Sequence, residues 1–145
     1  MLLFALFLVL ASASRTRFEE VAHQWGLKFP GDKAGLYDLY APDAKVSLQF
    51  QGLPPSVDIS VSQAMDGFFA MSKAYDFKFK TLVESSDTLV FHFVDWVETT
   101  KGCRALFTGV ATFHFNADAK IVRHQAWSDD TQAMVKCISE YSKEL

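Results

Sequence analysis

From Asp76 to Ser128 the chain alternates apolar and polar residues with a period of two, and it does so in four consecutive segments: Phe77 to Glu84, Thr88 to Glu98, Arg104 to Phe115 and Lys120 to Ser128. Three short turns separate them, at Ser85-Ser86-Asp87, Lys101-Gly102 and Asn116-Ala117-Asp118. A period of two sends alternate side chains to opposite faces, and turns this short join neighbours that run antiparallel. The segment therefore predicts one long antiparallel meander, to which the rest of the chain must conform.

The flanks have a different period. Phe18, Val21, Ala22 and Trp25 recur at helical spacing, and Pro30-Gly31-Asp32 ends that helix and opens a short second one carrying Leu36, Leu39 and Tyr40. Val46, Leu48 and Phe50 alternate as a strand closed by Gly52 and Pro54-Pro55. Ser60 with Gln63 three residues on forms a capping-box pattern for a third helix with Ala64, Met65, Phe68 and Met71 on one side. After the meander, Asp129 or Asp130 is expected to cap a last helix striped by Ala133, Met134, Cys137, Ile138 and Tyr141. The order α-α-β-α-β-β-β-β-α gathers helices on one side of a long twisted sheet, an α+β roll.

Half of the 145 residues are hydrophobic and 14 of them are Phe, enough for a single domain with a sizeable core. A net charge of -3 without a block of like charges supplies no footprint for nucleic acid. Leu2 to Leu10 is an apolar run followed by Ala11-Ser12-Ala13, small residues at the spacing of a signal-peptidase site. This predicts a signal peptide over 1–13, a mature domain over 14–145 and a secreted or endomembrane product; a buried or anchoring N-terminal helix is the alternative. The run is about half of the ~20 residues a membrane span needs, so no stable insertion is expected after processing. An oxidising compartment would permit a disulfide between Cys103 and Cys137, although each also lies where a free thiol packs as a small hydrophobe.

Three stretches resemble NTF2-like domains of the SnoaL-like and ketosteroid-isomerase-like kind: Gly31-Asp32, Leu39 through Val46, and Phe113 through Val122. The similarity spans nearly the whole mature chain and implies a cone-shaped roll, with helices packed on a curved antiparallel sheet. The superfamily includes isomerases, polyketide cyclases, epoxide hydrolases, dehydratases and binding modules, so the resemblance does not name a reaction. Position by position, the isomerases' base corresponds to Leu48 and their protonated Asp to Ala111. The cyclases' terminal His-Trp-Asp reads His124-Gln125-Ala126. The isomerases' first-helix Tyr falls near Gln24 or His23, and Tyr40 matches a pocket Tyr whose helix-three partner is Phe69 here.

The residues themselves also suggest a pocket. If Phe115 pairs with Lys120, then Phe113 faces Val122, Ala111 faces His124, Gly109 faces Ala126 and Phe107 faces Ser128, all on one face. Small residues around one histidine leave room for a ligand; the same small residues would also let a helix pack closely. A two-residue Lys101-Gly102 turn puts His92 opposite Ala111, whereas a loop one residue longer brings Asp95 inward among apolar neighbours that would raise its pKa. The shorter turn is the preferred reading. It separates His92 and His124 by roughly 10 Å at ~4.8 Å per strand, too far for a metal with bonds of about 2.0–2.1 Å.

No metal and no cofactor are expected, and His23 and His114 read as solvated or interfacial. The candidate ligand set is His92, His124, Tyr40, Phe69, Ala111, Phe113 and Trp96, with His124 and Asp95 as candidate proton-transfer groups. The expected partner is a hydrophobic, partly polar small molecule. Two function classes follow, a binding module and a cofactor-independent isomerase, cyclase or dehydratase using His124 as general base. The segment Val90 to Val97 is apolar on both faces, which predicts a second subunit on the face away from the pocket and hence a homodimer.

Overall fold

The computed structural model describes residues 14–143; the expected signal segment lies outside them. The element order is α1 (Arg17–Lys28), α2 (Lys33–Tyr37), β1 (Tyr40–Phe50), β2 (Ser56–Ser60), α3 (Val61–Met71), β3 (Ser72–Glu84), β4 (Thr88–Thr99), β5 (Arg104–Phe115), β6 (Ile121–Asp130) and α4 (Gln132–Ser142). The strands form one six-stranded sheet in the order β2-β1-β6-β5-β4-β3. It is antiparallel except where β1 lies parallel to β6. The fold is a curved, unclosed α+β roll.

Capping residues set the helix starts. Thr16 and Glu19 form a capping box on α1, and Ser60 and Gln63 form the expected one on α3, each satisfying backbone N–H groups that a helix start leaves open. Helix α1 turns Ala22 and Trp25 into the core, and α3 turns in Ala64, Met65 and Met71. Several elements differ from the sequence reading. Helix α2 ends at Tyr37, so Tyr40 opens β1 instead of closing a helix. The short edge strand β2 was not expected, and β3 begins at Ser72, directly after α3. Asp129 and Asp130 belong to β6; Thr131 is the cap position of α4 and makes no capping bond with its side chain.

Two turns reset the registers. Between β4 and β5, Thr99 N–H donates to the Cys103 carbonyl at 2.8 Å, which leaves a three-residue loop, Thr100-Lys101-Gly102. Gly102 takes φ 82°, a conformation that glycine adopts freely. The extra residue shifts the pairing by one, so Phe91 faces Ala111, Phe93 faces Gly109 and Asp95 faces Phe107. Between β5 and β6, Asn116 Oδ1 accepts from the N–H groups of Asp118 and Lys120, and the loop runs one residue longer than expected, so that Phe115 pairs with Ile121. The register then shifts again between His114 and Phe115, where a β-bulge adds a second residue. The two changes cancel in parity. Phe113 faces His124 and Ala111 faces Ala126, a slide of two residues that keeps the expected set on the same face.

Cys103 and Cys137 form a disulfide that ties the loop before β5 to α4.

Candidate functional site

The concave face of the sheet, closed over by α1 and α3, encloses a cavity of about 60 Å³. Its wall is almost wholly aromatic and aliphatic. Trp25 and Phe29 come from the end of α1, Met65 and Phe68 from α3, Leu48 and Phe50 from β1, and a run of Phe from β3, β4 and β5. The rings contact one another edge-on, as in Phe91–Phe113 at 5.0 Å and Phe93–Phe107 at 6.0 Å between centroids. Besides the Trp25 indole, His124, Asp95 and Tyr75 bring polar atoms to this surface.

His124 sits on β6 with its ring against Phe113, centroids 4.7 Å apart, and edge-on to Trp25 at 6.0 Å. Its Nδ1 lies 2.8 Å from the hydroxyl of Tyr40, and that hydroxyl accepts from Trp25 Nε1 at 2.9 Å. Burial drives the His124 pKa down to about 3, so the ring is neutral at ordinary pH. The same burial raises the Tyr40 pKa.

Asp95 is 6% exposed. Tyr75 donates its hydroxyl to Asp95 Oδ2 at 2.6 Å, while Oδ1 is buried without a hydrogen-bond partner. Burial pushes the Asp95 pKa up to about 8; the Tyr75 bond opposes that shift and the Asp76 charge adds to it. A carboxyl in this state holds its proton near neutrality and releases it just above, which suits either hydrogen bonding or proton transfer. Trp25 contacts both polar groups' surroundings, its ring lying 6.2 Å from that of Tyr75.

The sequence-predicted residues divide accordingly. His124, Asp95, Ala111 and Phe113 line the cavity. Tyr40 stands behind His124 as its hydrogen-bond partner. Phe69 packs on Phe29 and Tyr37, at 4.7 and 5.9 Å, away from the cavity wall. The three-residue loop turns His92 to the exposed outer face, and Trp96 shares that face half-buried. His23 is half-buried, and His114 bonds Thr88 Oγ1 through Nδ1 at 3.1 Å.

Gly109 does not make room for a ligand. A Cβ there would collide with the Trp127 carbonyl and come within 2.6 Å of the Phe93 ring, so its smallness serves the close approach of β6. Sequence reasoning missed Tyr75, which lies in the stretch before Phe77 where no strand was expected, and Trp25, whose polar edge is invisible to an apolar pattern.

No family model matches the sequence, and no curated protein matches it. Solved structures do match in shape. An NTF2-like protein of unknown function from an Exiguobacterium species aligns at 18% identity over 80% of this chain and 100% of its own, with a TM-score of 0.57. IdmH from Streptomyces antibioticus, a proposed polyketide cyclase, aligns at 18% identity over 86% of this chain and 99% of its own, with a TM-score of 0.64. TerC, crystallised with polyporic acid, aligns at 17% identity over 86% and 99%, with a TM-score of 0.62. At these identities the likeness is one of fold, and the fold is NTF2-like.

Proposed function

We propose that this NTF2-like cone binds a hydrophobic, partly polar small molecule on its concave face. One observation carries the reading: a buried carboxyl oxygen, Asp95 Oδ1, stands without a hydrogen-bond partner among the described residues in the wall of a predominantly apolar cavity. Leaving a buried polar atom unpaired costs about 1–3 kcal/mol, a cost that a bound ligand group would remove. TerC, which shares the fold, was crystallised with a small molecule, polyporic acid. The cavity is smaller than the roughly 300–1,000 Å³ typical of ligand sites, so binding requires its wall to open.

Native mass spectrometry of the protein from its own source tests this. The expected result is a retained adduct that is lost on denaturation and binds again to the stripped chain with a change in Trp25 fluorescence. A bare chain that also binds none of a panel of aromatic ketones and quinones would overturn the reading.

A second reading, cofactor-independent isomerisation, cyclisation or dehydration by proton transfer, is favoured by the Asp95 pKa of about 8 beside a free oxygen. Asp95 fits the role of base there better than His124, whose burial opposes a positive charge.

The proposal extends to processing and assembly. Cleavage before Ser14 would deliver the chain to an oxidising compartment, with which the Cys103–Cys137 disulfide agrees. A second copy is proposed to cover the outer face of β4, β5 and β6. There Trp96 pairs with Leu106 and Val110 with Trp127, and Leu106 and Trp127 are 57% and 38% exposed.

A further inference from the structure

The hydrogen bonds behind His124 have one self-consistent direction. Trp25 Nε1–H can only donate, and it donates to the Tyr40 hydroxyl oxygen at 2.9 Å. That hydroxyl lies 2.8 Å from His124 Nδ1 in a buried setting. It carries one proton, and Nδ1 is the acceptor within reach. If instead Nδ1–H donated to Tyr40, two N–H groups would aim at one oxygen and the hydroxyl proton would be buried with no acceptor among the described residues. The loss from an unmade buried bond exceeds the net gain from a made one, so that arrangement is disfavoured. Nδ1 is therefore bare. A neutral imidazole with a bare Nδ1 has its proton on Nε2, the nitrogen left for whatever enters the cavity that His124 lines. The ring's depressed pKa keeps it in this neutral form.

We propose that Trp25 and Tyr40 are positioning residues that hold His124 as the Nε2–H tautomer, so that this end of the cavity donates a hydrogen bond and selects ligands bearing an acceptor oxygen, such as a carbonyl or ether. The proposal rests on the ligand-binding reading of the cavity. It also removes His124 as a general base, since Nε2 is already protonated and Nδ1 is engaged, and it leaves that role to Asp95.

Two measurements test it. The first needs no ligand: long-range proton–nitrogen correlation spectra of the full chain with isotope-labelled histidine report which ring nitrogen carries the proton. The expected signature for His124 is Nε2–H throughout about pH 5–8. A dominant Nδ1–H form would overturn the proposal. In Tyr40→Phe the two tautomers should average, and an unchanged Nε2–H signature in that variant would remove Tyr40 from the role.

The second compares three bicyclic probes of similar size by calorimetry: indanone, which only accepts; indole, which only donates; and indane, which does neither. Indanone should bind about three- to tenfold more tightly than indane, and Tyr40→Phe should erase that advantage. Indole binding as well as indanone would overturn the selectivity. Failure of all three probes with the Nε2–H signature intact would overturn the ligand-binding reading and the selectivity with it, while leaving the tautomer assignment standing. Should Tyr40→Phe not fold, the wild-type spectra and probe ranking decide the matter alone.

Discussion

Asp95 and His124 share one cavity wall, and burial moves their pKa values in opposite senses with opposite consequences for stability. Asp95 titrates near 8 in the fold against 3.8 in a free chain. Between those values the unfolded chain has lost a proton that the fold still holds, so this group lowers stability as pH rises. His124 titrates near 3 in the fold against 6.5 when free. Between those values the unfolded chain has gained a proton that the fold refuses, so this group raises stability as pH rises. The slopes oppose each other from about pH 4 to 6.5, and Asp95 acts alone from about 6.5 to 8. Thermal melts should therefore be nearly level across the first range and fall across the second. Asp95→Asn should rise across the first and level off across the second. Wild-type and variant melts that run parallel from pH 6.5 to 8 would contradict the burial of the carboxyl.

At the scale of elements, two glycines give opposite expectations for the same substitution. Gly109→Ala pushes a methyl group into the Trp127 carbonyl and the Phe93 ring, where β5 and β6 approach at an irregularity in their register. It should destabilise by about 1–3 kcal/mol in urea unfolding. Gly67 lies within α3 with open space around its Cβ position, so Gly67→Ala should stabilise by about 0.5–1 kcal/mol. The same contrast explains what the sequence could convey. Helical spacing, the Ser60–Gln63 capping box and period-two runs are local, and they placed α1, α3 and the strands β4 to β6, whereas β3 begins at Ser72, ahead of the Phe77 start that the pattern marks. Whether His92 or Asp95 turned inward depended on one residue, Thr100, joining the loop. Gly102 is compatible with a turn of two residues or of three, so local chemistry could not decide. The β5–β6 face was legible despite a wrong pairing, because loop and bulge each add one residue and their sum preserves parity.

For the molecule as a whole, the four-strand meander and the helices before and after it were enough to specify the roll. The parallel β1–β6 contact and edge strand β2 were not legible, because nothing local to either marks its partner. The outer face yields the last prediction. Light scattering should give twice the chain mass at low micromolar concentration, and Leu106→Glu, which puts a charge into the proposed contact, should give a monomer with an intact fold. A wild-type monomer would discard the assembly.

The β1–β6 pairing also bears on the order of events during synthesis. Strand β1 pairs with residues 121–128, and Tyr40 meets His124 across 84 positions of sequence. While the ribosome is still adding β6, the N-terminal strand has only β2 beside it and its other edge is open. The sheet is completed, and His124 meets Tyr40, only once β6 has emerged. The concave cavity thus waits on the sixth strand, because β6 contributes His124 and Ala126 to its wall.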